Sequence, residues 1–256
     1  MIKVLCERLR QKHRTVDFPR VHPPLPERYR GLPVIQAAKC VAGCEACVAA
    51  CPVGAVSVGQ DGPAIDMGRC LFCGACAEAC QAGALGFSRE FRLAARRRED
   101  LIVRGAGRPP LEPLTDGREK LFSRSLKLRQ VSAGGCNACE ADINVLGTLV
   151  FDLGRFGVEF TASPRHADGV AVTGPVTRNM RDALLSTHEA TPDPKVVVAV
   201  GACAIAGGPF AGLPETNDGV GDLLSVDLFI PGCPPHPLTI LDGLLRLLSP
   251  KYAARD

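Results

Sequence analysis

The chain has 256 residues, enough for two domains, and its 46% hydrophobic and 22% charged residues exclude a disordered or fibrous protein. The formal net charge of +3 is uneven: residues 1–31 carry +5 and residues 89–108 carry +4, leaving −6 for the remainder. The two basic segments lack interleaved aromatics or a nucleic-acid-binding motif, so they read as solvated or partner-facing arms and no nucleic-acid partner is expected.

The N-terminus, MIKVLCERLRQKHR, is charged and has no apolar run, so no secretory signal is expected. Residues 1–31 show no sustained period, and residues 22–31 (HPPLPERYRG) hold too much proline for a helix interior. The segment reads as an extended arm that binds a partner. Residues 32–90 contain a repeat. A shift of 29 residues superimposes Cys44, Cys47 and Cys51 on Cys73, Cys76 and Cys80, and Ala46, Ala50, Gly54 and Ala55 on Ala75, Ala79, Gly83 and Ala84. Such duplication signals two equivalent halves. Between them AVSV, a turn at Gly59 to Gly62, and PAID read as a hairpin.

Residues 91–120 are rich in arginine and then in Gly and Pro, the composition of a linker. A second domain is expected over 121–256. Strands are predicted at 158–163, 169–174, 195–201 and 226–232, and helices at 177–190 and 237–248. Thr177 suits an N-cap and Pro237 a first helical turn. The alternation predicts an α/β domain with an open parallel (flavodoxin-like) sheet, preceded by a small α+β domain. Residues 196–213 carry no polar side chain over 18 positions, long enough to suggest a membrane span. Gly201, Gly207, Gly208, Pro209 and Gly212 interrupt that run, which therefore reads as a buried strand entering a glycine-rich loop. No direct membrane span is expected.

Twelve of the 13 cysteines fall into three sets of four. The first is Cys40-x3-Cys44-x2-Cys47-x3-Cys51, followed by Pro52. The second is Cys70-x2-Cys73-x2-Cys76-x3-Cys80. The third is Cys136-x2-Cys139 with the distant Cys203 and Cys233. Cys6 is left as a free thiol. C-x2-C-x2-C spacing without secretory context favours metal over disulfide. Such a loop wraps three corners of a 4Fe–4S cube and a fourth thiolate comes from elsewhere. Zinc sites prefer two separated C-x2-4-C pairs. Cys203 and Cys233 each follow a predicted strand, at the sheet edge where ligands gather. Gly134, Gly135, Gly201 and Gly232 would let the backbone approach a cluster, and Pro234, Pro235 and Pro237 would stiffen the last loop.

Residues 32–90 resemble the bacterial 2×4Fe–4S ferredoxins. That resemblance implies one cluster on Cys40, Cys44, Cys47 and Cys80, and another on Cys70, Cys73, Cys76 and Cys51, because the last cysteine of each run serves the other cluster. The x3 spacing before Cys44, and Gln81 where proline usually follows the last cysteine, depart from the pattern. Over residues 121–249 the segments LFSRSL, GGCNACEADIN, SPRHAD, VTGPVTRNM, ATPDP, VAVGACA and IPGCPPHP resemble the small, proximal-cluster subunit of membrane-bound group 4 nickel–iron hydrogenases and formate hydrogenlyases, homologous to the small cluster-bearing subunit of respiratory complex I. Ala202 stands where many relatives carry an acidic or other residue.

This second resemblance implies a third 4Fe–4S cluster on Cys136, Cys139, Cys203 and Cys233, beside the active site of a separate large subunit. Cys136-x2-Cys139 matches the hydrogenase arrangement, whereas complex I subunits carry adjacent cysteines there. The implied protein is an electron-transfer subunit of a multi-subunit oxidoreductase with three 4Fe–4S clusters and no catalytic residue of its own. Its implied partners are the large subunit, membrane-arm subunits, and an electron donor or acceptor such as formate dehydrogenase or ferredoxin. Its implied location is peripheral, on the cytoplasmic face of the inner membrane. Rival readings are a complex I-like quinone oxidoreductase subunit, a non-catalytic iron–sulfur sensing or structural protein, and a zinc-binding module. Glu140 and Asp142 read as a solvated or interface acid pair, and His236 as an ordinary interface histidine. No dinucleotide fingerprint, P-loop or nucleophile elbow occurs.

Overall fold

The computed structural model describes residues 2–249 and Tyr252; residues 250–251 and 253–256, the end of the expected 121–256 domain, lie outside the described residues. Helix α1 (Ile2–Gln11) opens the chain and buries none of its side chains. It departs from the extended arm expected over 1–31. The helix forms because no proline or glycine interrupts 2–11 and Ile2, Leu5, Cys6 and Leu9 recur on one face. The rest of the arm lies on the body. Val16 N–H donates to Val150 O at 2.9 Å, Arg155 donates to Val16 O and Phe18 O, and Phe18 is buried against Phe91.

Residues 32–90 form two small sheets and two short helices. Strand β1 (Pro33–Ile35), helix α2 (Ala46–Ala49), strands β2 (Val56–Gly59) and β3 (Gly62–Asp66), helix α3 (Ala75–Ala79) and strand β4 (Leu85–Phe87) follow in order. β1 pairs antiparallel with β4, and β2 with β3 in the register Val56 to Ile65 and Gly59 to Gly62, the expected hairpin. The repeat is visible in this arrangement, since α2 and α3 each begin two residues after the middle cysteine of their run. β5 (Ile102–Val103) adds to β3. Arg98 clamps Asp66 with two hydrogen bonds at 2.8 and 2.6 Å, fixing the turn before β5 to the end of β3.

The segment expected as a linker is packed along much of its length. Phe91, Leu93, Ala94, Ala95, Leu101, Leu111 and Leu114 are buried. Ala95 exchanges two backbone hydrogen bonds with Phe229, at 3.0 and 2.8 Å, and so covers the outer edge of the large sheet. Composition hid this because arginines occupy the intervening surface positions.

After helix α4 (Arg118–Phe122) come β6 (Leu126–Ser132), α5 (Ala138–Val145), β7 (Val158–Phe160), β8 (Gly169–Thr173), α6 (Arg178–Glu189), β9 (Val196–Val200), α7 (Ala202–Ala206), β10 (Leu228–Ile230) and α8 (Pro237–Leu248). The five strands form one parallel sheet in the order β10-β9-β8-β6-β7, the flavodoxin-like arrangement. β8 and β9 are buried at every position, which is why their sequences are continuously apolar. One face packs on α8, itself buried throughout. Residues of the other face, Val131, Val170, Val172 and Val197, belong to the same apolar cluster as Ile35, Cys47, Ile65 and Cys76 of the N-terminal unit. The two halves therefore share a core.

Candidate iron–sulfur sites

The three cysteine sets assemble in three separate places, and all 13 cysteines are free thiols. In the first, Cys40, Cys44, Cys47 and Cys80 line one cavity of about 340 Å³ with Val41, Ala84 and Leu85. Burial pushes the Cys47 thiol up, and negative charge on Cys80 and Cys40 would push it further. In the second, Cys70 is pushed up to about 12, chiefly by burial, with charge on Cys76, Cys51 and Cys73 adding to it. Cys76 rises for the same reasons, burial first and then Cys51 and Cys73. Cys80 thus stands with the first run and Cys51 with the second, the exchange of last cysteines that the ferredoxin resemblance implies.

Backbone amides face these sulfurs. Ala55 N–H donates to Cys51 Sγ at 3.2 Å, and 29 residues later Ala84 N–H donates to Cys80 Sγ at 3.2 Å. Phe72 N–H donates to Cys70 Sγ at 3.3 Å. Hydrogen bonds of this kind favour thiolate over thiol.

The third site stands at the carboxyl ends of three strands. β6 leads to Cys136 and Cys139, β9 to Cys203 and β10 to Cys233. Burial pushes Cys139 strongly up, and charge on Cys203, Glu140, Cys233 and Cys136 adds to it. Cys203 is pushed up to about 11 by burial and then by Cys233 and Cys136. Cys233 rises through burial and Cys136. The fit is close around the sulfurs. Gly201 has φ +91°, and a Cβ there would lie 2.5 Å from Cys139 Sγ; one on Gly208 would lie 2.7 Å from Cys203 Sγ. A Cβ on Gly134 would meet Thr177, one on Gly135 would meet Gly174, and one on Gly232 would meet Pro235.

Residues beside the third site differ from expectation. Glu140 is buried rather than solvated, and its Oε1 accepts from Ser132 Oγ and Thr173 Oγ1, each at 2.6 Å. Burial alone would raise this carboxyl, but the two hydroxyls hold it below its ordinary value. No period in the sequence marks Glu140 as buried. Asp142 is half-buried and pushed up by burial. His236 Nδ1 accepts from Leu238 N–H at 3.1 Å, capping α8, and its ring meets Tyr29 edge-on at 5.4 Å.

The donor sets suit polynuclear clusters. Partly buried thiols crowded together oppose their own ionisation, so a charged thiolate state needs a cation among them. Among the described residues no group of three or more His, Cys, Asp or Glu is arranged around a single metal ion.

Comparison with known proteins agrees with this geometry. Over 130 residues, 51% of this chain and 78% of the relative, the chain is 43% identical to the "Probable membrane-bound hydrogenase subunit mbhJ" of Pyrococcus furiosus. Residues 136–247 match the NADH ubiquinone oxidoreductase 20 Kd subunit family. This chain belongs to that family. Residues 39–84 match the 4Fe-4S dicluster domain. The family member is also 42% identical to "Formate hydrogenlyase subunit 7" of Escherichia coli over 139 residues, 53% of this chain and 54% of that one. It is 40% identical to an NADH-quinone oxidoreductase subunit of Heliobacterium modesticaldum over 116 residues, 45% and 66% of the two chains. This 20 Kd family member is therefore a 4Fe–4S electron-transfer subunit of an oxidoreductase. Among its described residues no helix is long and apolar enough to cross a membrane.

Proposed function

We propose that this chain carries three 4Fe–4S clusters in a membrane-associated group 4 nickel–iron hydrogenase-like complex of the formate hydrogenlyase kind. The ligand sets are Cys40, Cys44, Cys47 and Cys80; Cys51, Cys70, Cys73 and Cys76; and Cys136, Cys139, Cys203 and Cys233. The observation that carries the reading is the gathering of twelve cysteines into three quartets, with Cys136-x2-Cys139 at the head of the third. Each cluster, when bound, takes up and releases one electron. The chain's own part is to hold the thiolates and to direct amides of Ala55, Phe72 and Ala84 at their sulfurs.

The division into an arm (1–31), a ferredoxin-like unit (32–90), a connecting segment (91–120) and a hydrogenase small-subunit domain (121–256) belongs to this proposal. Cys136 and Cys233 are exposed, which supports a large subunit docked over the third site. In that partner hydrogen would be oxidised, or protons reduced, at nickel–iron. Membrane-arm subunits would hold the chain peripherally on the cytoplasmic face, and formate dehydrogenase or a ferredoxin would exchange electrons with it.

Anaerobic isolation of the native complex through a tag on this chain, followed by nickel analysis, tests the assignment. Stoichiometric nickel is expected. Iron without nickel would overturn it in favour of a complex I-like oxidoreductase.

A further inference from the structure

We infer that Arg30, from the N-terminal arm, sets the reduction potential of the second cysteine site. The inference rests on the proposed cluster at Cys51, Cys70, Cys73 and Cys76. Gly74 lies between Cys73 and Cys76, has φ +88° and heads α3. A Cβ on Gly74 would meet Arg30 Nε at 2.6 Å, Cζ at 3.1 Å and Cδ at 3.3 Å. The guanidinium therefore rests on the backbone of the cysteine loop itself, in a space that any other residue would close. The contact is held from both ends of the arm's last turn. Tyr29 Oη is 3.4 Å from Thr239 Oγ1 on α8, and Gly31 N–H donates to Ser88 O at 2.8 Å.

The charge is not cancelled. The ion partner of Arg30 is Glu78 at 4.0 Å, 76% exposed, and a surface pair of that geometry is weak. Arg30 also lines a cavity of about 310 Å³ together with Leu71 and Phe72 of the second site's loop and Cys233, Pro234 and Pro235 of the third site's. The first opens into a separate cavity that Arg30 does not line. A cluster gains one negative charge when reduced, so a fixed cation beside it favours the reduced form and raises the potential. Arg28 lines the same cavity. The arm therefore does more than tie the halves together: it delivers a charge to the second site.

The test is a dithionite titration of the intact anaerobically isolated protein, read by electron paramagnetic resonance, for wild type, Arg30→Met and Arg30→Lys. The signal abolished by Cys70→Ser identifies the second site. The expected result is a shift of that signal to more negative potential in Arg30→Met, little shift in Arg30→Lys, and the signal abolished by Cys47→Ser unmoved. The shift should shrink as salt is raised, because the guanidinium is partly exposed. An unmoved signal in Arg30→Met, or an equal shift in Arg30→Lys, would overturn the inference alone. A wild-type titration with no signal that Cys70→Ser removes would overturn the cluster reading, and this inference with it.

Discussion

Thr173 Oγ1 donates to Glu140 Oε1 at 2.6 Å, joining the end of β8 to the helix that carries Cys139. Ser132 does the same from the end of β6. The carboxylate is the strut that fixes α5 against two adjacent strands, and so fixes Cys139 relative to Cys203 and Cys233.

Glu140→Ala should cost about 1–3 kcal/mol, since the hydroxyl of buried Thr173 loses its short bond and keeps only Val131 O at 3.3 Å. Glu140→Gln should cost less, as one oxygen remains. The folded carboxyl lies below its ordinary value. Its stabilisation is therefore complete above the ordinary value and lost as pH falls through the folded one. Thermal melts of wild type and Glu140→Gln should converge as the buffer is acidified through that range.

Asp242 titrates in the opposite sense. Burial in α8 pushes it up to about 6, against the pull of Arg246, which donates to Asp242 Oδ2 at 3.3 Å. With the folded value above the ordinary one, stability from this group is full in acid, below the ordinary value, and is lost as pH rises through about 6. The melting temperature of Asp242→Asn, measured relative to wild type, should rise between about pH 4 and about pH 6 and level off above that range.

Gly201→Ala should disable one site only. The new methyl would lie 2.5 Å from Cys139 Sγ, on backbone with φ +91°. Loss of about four irons per chain is expected, with the resonance signals of the other two clusters retained. Retention of all iron would mean that Cys139 does not bind there.

The sequence was most readable where one physical demand dominated. β9 is VVVAV because parallel strands are covered on both faces, and α8 is recognisable from Pro237 and its leucines. The first two cysteine sets were legible from their local spacing, and the third only through the strands that Cys203 and Cys233 follow. β6 was missed although it is an interior strand: its short Leu-Lys-Leu-Arg alternation breaks at Gln130, and Arg129 and Gln130 are only half-buried. α5 and α7 were missed because each is a short helix beginning within a cysteine loop, with too few turns for an apolar period to show. The packing of 91–116 could not be read from composition. Its apolar residues are spaced to cover α8 and the β10 edge, with no repeat of their own.

Cys51 and Cys80 offer a check on the exchange between the two halves. Cys51→Ala should remove the same cluster signal as Cys70→Ser, and Cys80→Ala the same signal as Cys47→Ser. Pairing of Cys51 with Cys47 instead would break the assignment of last cysteines to opposite clusters.

The most direct measurement is iron and acid-labile sulfide per chain in the anaerobically isolated native protein. Three clusters predict about twelve of each, falling by about four in each of Cys47→Ser, Cys70→Ser and Cys203→Ser. About eight irons that do not fall in Cys203→Ser would contradict the third site, and zinc in place of iron would contradict the electron-transfer account as a whole.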